Sequence, residues 1–261
     1  MRGLTPNELI QWSPPHQQWI IDHDLLLAQG TLMVYGREET WKSMLIGLDM
    51  AFKIATGQPW FGYKTIASPV YIFQTEIPQA PLRKRMIKYM SGNKVTSNQI
   101  WYSSELYMKL DKGWGYAELE KEIIRTQPKV LIIDPIFSSM SGKLVDDYDV
   151  GLFLDRMDML RSKYKLAIIM IHHTRIAEHN EGQVFHYSSD ELFGSSRWNR
   201  WMDTIVFIDK VSDDAGLVHL DLTFEKTRHA EAKLPQLHII ARRSDLVFSV
   251  NGSKSNERRV L

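Results

Sequence analysis

Thr31-Leu32-Met33-Val34-Tyr35-Gly36-Arg37-Glu38-Glu39-Thr40-Trp41-Lys42-Ser43 is the stretch on which the fold turns. Its first five residues form a short apolar run closed by Gly36, the pattern of a buried strand. Beyond it, apolar residues at 44, 45, 48, 51, 52 and 55 have helical spacing. In between, Gly36, Lys42 and Ser43 fit the first and last two positions of G-x-x-x-x-G-K-[ST]. In such a loop, backbone N–H groups and the helix N-terminus face phosphates. The Lys reaches the β- and γ-phosphates, and the Ser holds Mg²⁺. The expected cradle comprises Gly36, Arg37, Glu38, Glu39, Thr40, Trp41, Lys42, Ser43 and Met44. Trp41 stands where the pattern has its second glycine. It fits if its ring points away from the phosphates and its backbone avoids a conformation that needs Gly.

Outward from this unit, strand and helix keep alternating. Val70-Tyr71-Ile72-Phe73 reads as a strand, 81–90 as a helix, 116–125 as a helix, Val130-Leu131-Ile132-Ile133 as a buried strand, 149–164 as a helix and 166–171 as a buried strand. Runs of Val, Ile and Leu without polar alternation, separated by helices, predict a mainly parallel sheet covered on both faces, an α/β fold. Residues 204–209, 218–224 and 237–241 are strands with no helix between them, joined by turns such as 212–216. They predict an antiparallel C-terminal extension. Residues 1–30 read as an irregular strap packed on the core. Residues 31–250 read as one domain, and 251–261 as a flexible polar tail.

Composition narrows the function. Lys and Arg total 32 against 31 Asp and Glu, so no protein-wide positive field exists, and nucleic-acid binding would need a local patch or a site built by several subunits. The absence of Cys removes disulfides, thiol nucleophiles and Cys-ligated metals. Neither a signal-peptide pattern nor a run of ~20 apolar residues occurs, so the expectation is a soluble, cytoplasmic chain without a membrane partner. Asp134 closes the apolar run 130–133, where a phosphate-loop enzyme carries the acid that orients Mg²⁺ and its water.

Taken in order, these residues resemble the RecA-like ATPases and, within them, the RepA-type hexameric helicase branch of phage and plasmid AAA ATPases. The resemblance runs through Trp19-Ile20-Ile21-Asp22, the loop 36–43, Gln74-Thr75-Glu76, Asp134, His172-His173-Thr174-Arg175, Gly194-Ser195-Ser196-Arg197, Asp203-Thr204 and Lys226-Thr227-Arg228. It implies a RecA-like P-loop NTPase fold and Mg²⁺-dependent ATP hydrolysis at subunit interfaces of a ring or filament, expected as a hexamer. It also implies action on single-stranded DNA in replication or recombination. Glu76 becomes the expected general base, with Lys42 as catalytic cation and Ser43 and Asp134 at the metal. Of the two histidines, His172 is the expected γ-phosphate sensor, because it continues the apolar strand directly. Lys226 and Arg228, two apart on an extended segment, share a face. They are expected to reach the γ-phosphate of a neighbouring subunit. Loops 138–147 and 174–194 would face DNA, with Lys143 and Arg175 as the contacts. Arg83 and Arg85 read as a solvated face or a subunit contact. Two other readings stay open on the residues alone: a nucleotide-binding adaptor or loader that hydrolyses slowly or not at all, and a strand-exchange or annealing protein of the same fold.

Overall fold

Thr31–Gly36 forms β3, buried at every position, in the computed structural model, which describes residues 3–13, 18–103, 106–173 and 195–251. It is hydrogen-bonded on both sides, in parallel, to β7 (Ala167–His173) and β8 (Thr204–Asp214). Outward from β7 come β6 (Val130–Asp134), β4 (Val70–Gln74) and the edge strand β5 (Ile100–Ser103), all parallel. On the other side of β8 lie β9 (Leu217–Thr227), β10 (Leu237–Arg242) and β11 (Phe248–Val250), each antiparallel to its neighbour. The nine-stranded order β11-β10-β9-β8-β3-β7-β6-β4-β5 joins a parallel core to an antiparallel extension.

Alternate residues of the parallel strands feed two cores. Leu32, Val34, Ile72, Ile132, Ile169 and Ile171 face one side, where they meet the helical segment of Lys42–Thr56. Met33, Tyr35, Tyr71, Phe73, Ile133 and Met170 face the other, with α5 (Gly113–Thr126), α7 (Asp147–Tyr164) and the short α8 (Ser196–Trp201). With both faces covered, polar residues of the parallel strands are confined to the strand ends, and this explains the uninterrupted apolar runs between them. The helical segment begins as α2 (Lys42–Met44), widens into a π-helical stretch (Leu45–Met50) and continues as α3 (Ala51–Thr56). After β4 comes α4 (Gln79–Asn93), and a short α6 (Ile136–Ser139) follows β6.

Some expectations change. The stretch 1–30 is not irregular throughout. It carries α1 (Pro6–Gln11), started by a capping box in which Thr5 Oγ1 accepts the Glu8 N–H and Glu8 accepts the Thr5 N–H, and a hairpin of β1 (Trp19–Ile21) and β2 (Leu26–Leu27). Ile20, Ile21, Leu25 and Leu26 are buried in the first core, whereas α1 buries no residue. The expected turn 212–216 is shorter. β8 runs to Asp214, and only Ala215 and Gly216 turn, both at positive φ, as a two-residue hairpin requires.

Candidate nucleotide site

The phosphate loop leaves β3 through Gly36. A Cβ on Gly36 would lie 2.2 Å from the carbonyl oxygen of Ile208 on β8, so the residue is glycine for close passage. Thr40 Oγ1 donates to the Arg37 carbonyl at 2.8 Å and folds the loop on itself. Lys42 Nζ lies inside that fold, donating to the carbonyl of Gly36 at 2.9 Å, to Thr40 Oγ1 at 3.0 Å and to the carbonyl of Arg37. Burial pushes the Lys42 ammonium down to about 8, against the opposing pull of Asp134, Glu38 and Glu76.

Trp41 does not avoid the glycine conformation. It adopts it, with φ 63° and ψ 16°. A left-handed non-glycine residue carries of order 1 kcal/mol of strain and persists where its surroundings hold it. Here the ring packs edge-on to Phe248, centroids 6.2 Å apart, and the Arg243 guanidinium lies 5.2 Å over it.

β6 and β4 pair so that Asp134 stands beside Gln74 at the carboxyl edge of the sheet. Asp134 Oδ1 accepts the Ser43 hydroxyl at 3.0 Å. With Asp134 only 5% exposed, burial pushes its carboxyl up to about 6, partly offset by Ser43 and the nearby cations Lys42 and Arg85. A buried carboxylate beside a hydroxyl suits a hard cation that takes oxygen ligands. Among the described residues no group of three or more His, Asp or Glu is placed to hold a metal. Mg²⁺ needs none, because in phosphate loops phosphate and water oxygens complete its shell. Gln74 fixes the next turn by accepting the Ile77 N–H at 2.8 Å and donating to the Ile77 carbonyl at 2.6 Å. Glu76 sits within that turn, its carboxyl raised by partial burial and by the Glu38 carboxylate.

A cavity of about 610 Å³ opens over the loop, bordered by Thr40, Lys42 and Ser43 and by the cations Arg85, Lys88, Lys210 and Arg243. Arg85 lines this cavity, turned from α4 towards Asp134, rather than standing on a solvated face. The histidines divide differently from expectation. His172 is buried, near Trp198 at 6.2 Å, and burial pushes it down to about 3, so it stays neutral. His173 lines the cavity instead, and its Nδ1 has no hydrogen-bond partner among the described residues.

Lys226 and Arg228 lie elsewhere. Thr227 pairs with Thr204, which pairs with Leu32, so this end of β9 is at the amino edge of the sheet. Gly36 lies four residues further along β3, about 13 Å away along the strands. Lys226 donates to the Asn199 carbonyl at 2.5 Å, and Arg228 pairs with Asp203 at 2.9 Å. Both face α8, so they do share a side, but not that of their own loop. Lys143 is exposed on a segment rich in acid, where its N–H donates to Asp149 and Asp146 caps α7. Arg175 and the loop 174–194 fall outside the described residues.

A parallel sheet with a phosphate loop after β3, a buried carboxylate closing β6 and an antiparallel extension beyond β8 defines a RecA-like P-loop ATPase fold. A family profile described as "AAA domain" matches residues 2–179, and the chain belongs to that family. Similar solved structures include a KaiC-like protein from the hyperthermophilic archaeon Pyrococcus horikoshii OT3, with a TM-score of 0.59 and 11% identity over 90% of this chain and 96% of that one. They also include a DnaB-like replicative helicase, with a TM-score of 0.62 and 12% identity over 85% of this chain. The chain spans 59% of that helicase's length. At these identities the likeness is one of fold. No curated protein matches the sequence.

Proposed function

We propose that this chain is a Mg²⁺-dependent ATPase that assembles with copies of itself into a ring or filament and works on single-stranded DNA. The observation that carries the reading is the convergence of Lys42, Ser43, Asp134 and Glu76 at one sheet edge, under a cavity to which Arg85 and Lys88 add positive charge. Lys42 and the loop amides bind the β- and γ-phosphates, and Arg85 adds charge from α4. Ser43 and Asp134 hold Mg²⁺, which supplies charge neutralisation on the phosphates. Glu76 takes a proton from the attacking water, a role helped by its raised affinity for protons. The phosphate-sensing role passes from His172 to His173, the histidine that lines the cavity.

Lys226 and Arg228 lie too far from their own loop to serve it. They are assigned to a neighbouring copy, where exchange of the Asn199 and Asp203 contacts for phosphate would complete the site. Lys143 remains the assigned DNA contact, together with Arg175. With acids so close to Lys143, an isolated subunit binds DNA weakly, and binding rises on assembly.

Phosphate release by wild type and by Lys42→Ala, with and without single-stranded DNA, tests the reading. Release in wild type that Lys42→Ala abolishes and DNA stimulates is expected. Nucleotide binding without release would leave a non-hydrolysing adaptor, and release indifferent to Lys42 would refute the site.

A further inference from the structure

The lining of the cavity carries two kinds of chemistry. Lys42, Ser43 and Thr40 belong to the phosphate loop. Trp41, Arg243 and Leu246 also line it, the last buried at 4% exposure. Arg243 is half-exposed, yet it is not a free cation. It holds Asp213 through both Nε, at 3.0 Å, and Nη2, and Lys210 lies 3.7 Å from the same carboxylate. This group binds phosphate poorly, because its charge is already matched and Asp213 repels an anion. What it offers is a flat guanidinium plate 5.2 Å over an indole, braced by Phe248. Glycine at 41 would meet the left-handed backbone without strain. What tryptophan adds is the ring.

The geometry points to a nucleobase subsite in which the base of a bound nucleoside triphosphate packs against the Trp41–Arg243 stack. The assignment rests on the reading of the loop as a triphosphate cradle and extends it to the group that distinguishes a nucleotide from bare polyphosphate. Every base has a π face, so this platform favours nucleotides over base-free polyphosphate while discriminating weakly among bases. Arg243 matters here as a plane, not as a charge, and lysine cannot replace it.

Calorimetric titration in Mg²⁺ with the β,γ-imido analogue of ATP and with inorganic tripolyphosphate tests this. Wild type is expected to prefer the nucleotide by about tenfold or more. Arg243→Lys, a half-exposed position where folding is not at stake, should collapse most of that preference although the charge is kept. Trp41→Phe should retain most of it. Equal affinities in wild type, or an Arg243→Lys variant that weakens both ligands by the same factor, would overturn the subsite and leave the phosphate cradle standing. If wild type binds neither ligand, or Lys42→Ala binds both as wild type does, the cradle itself is wrong and the subsite falls with it.

Discussion

Raising the pH from 7 to 9 should weaken nucleotide binding about tenfold, through Lys42 alone. In the unliganded protein this ammonium is 3% exposed, held by carbonyl and hydroxyl oxygens, and burial pushes it down to about 8. A triphosphate beside it favours the charged form, so the bound protein keeps its proton to higher pH. The free form is raised above nothing and depressed below its ordinary value, so affinity is level below pH 8 and falls as pH rises through it. One unit above the midpoint, about one molecule in eleven still carries the proton, and the apparent dissociation constant grows by that factor. Asp134, pushed up only to about 6, is ionised throughout this window and adds no slope. Calorimetry at pH 7, 8 and 9 with the β,γ-imido analogue reads the effect, and proton uptake should appear as a dependence on buffer ionisation enthalpy. Lys42→Arg, which stays charged, should give a flat profile. Constant affinity in wild type, or the same fall in Lys42→Arg, would refute the assignment of this proton.

Three further outcomes follow from other positions. Asp49, on the π-helical stretch, is buried at 2% exposure beneath the Tyr89 hydroxyl and pushed up by burial to about 6. Its ionised form burdens the native state above pH 6, so Asp49→Asn should stabilise the protein by up to about 3 kcal/mol at pH 7.5. That gain should shrink to nothing as pH falls to 4, and a thermal melt showing it undiminished at pH 4 would contradict the argument. Gly36→Ala should cost about 1–3 kcal/mol and misplace the loop, because its Cβ meets the Ile208 carbonyl, and an unchanged melting temperature would exclude that contact. Glu76→Gln should bind nucleotide normally while phosphate release drops by about 10²-fold or more, and a smaller loss would move the base elsewhere.

The parallel core was legible because its strands are sealed on both faces. Nothing in Val130–Ile133 or Ile168–Ile171 has to be polar, and the apolar run states the burial directly. β5 was not legible, because Ile100–Ser103 is an edge strand only partly buried along its length, with an aromatic mixture that carries no clear period. α1 could have been read, since Thr5, Pro6 and Glu8 spell its cap, yet it buries nothing to reinforce the signal. Within the site, Lys42, Ser43, Asp134 and Glu76 are local to their strands and loops, and chain order finds them. Trp41 is different. Its conformation is held by Arg243 and Phe248, two hundred residues away in sequence, and no local pattern foretells them. Arg85 and His173 depend likewise on which face of an element turns inward, and this is settled only by what packs against it.

The two outer strands of the large sheet, β5 and β11, are four and three residues long. A strand edge that short presents too few free amide and carbonyl groups to template the addition of another chain's strand. If copies of this protein assemble as proposed, such short edges favour joints made through side chains over a continued backbone ladder. Joints of that kind would slide and re-form without breaking a backbone ladder.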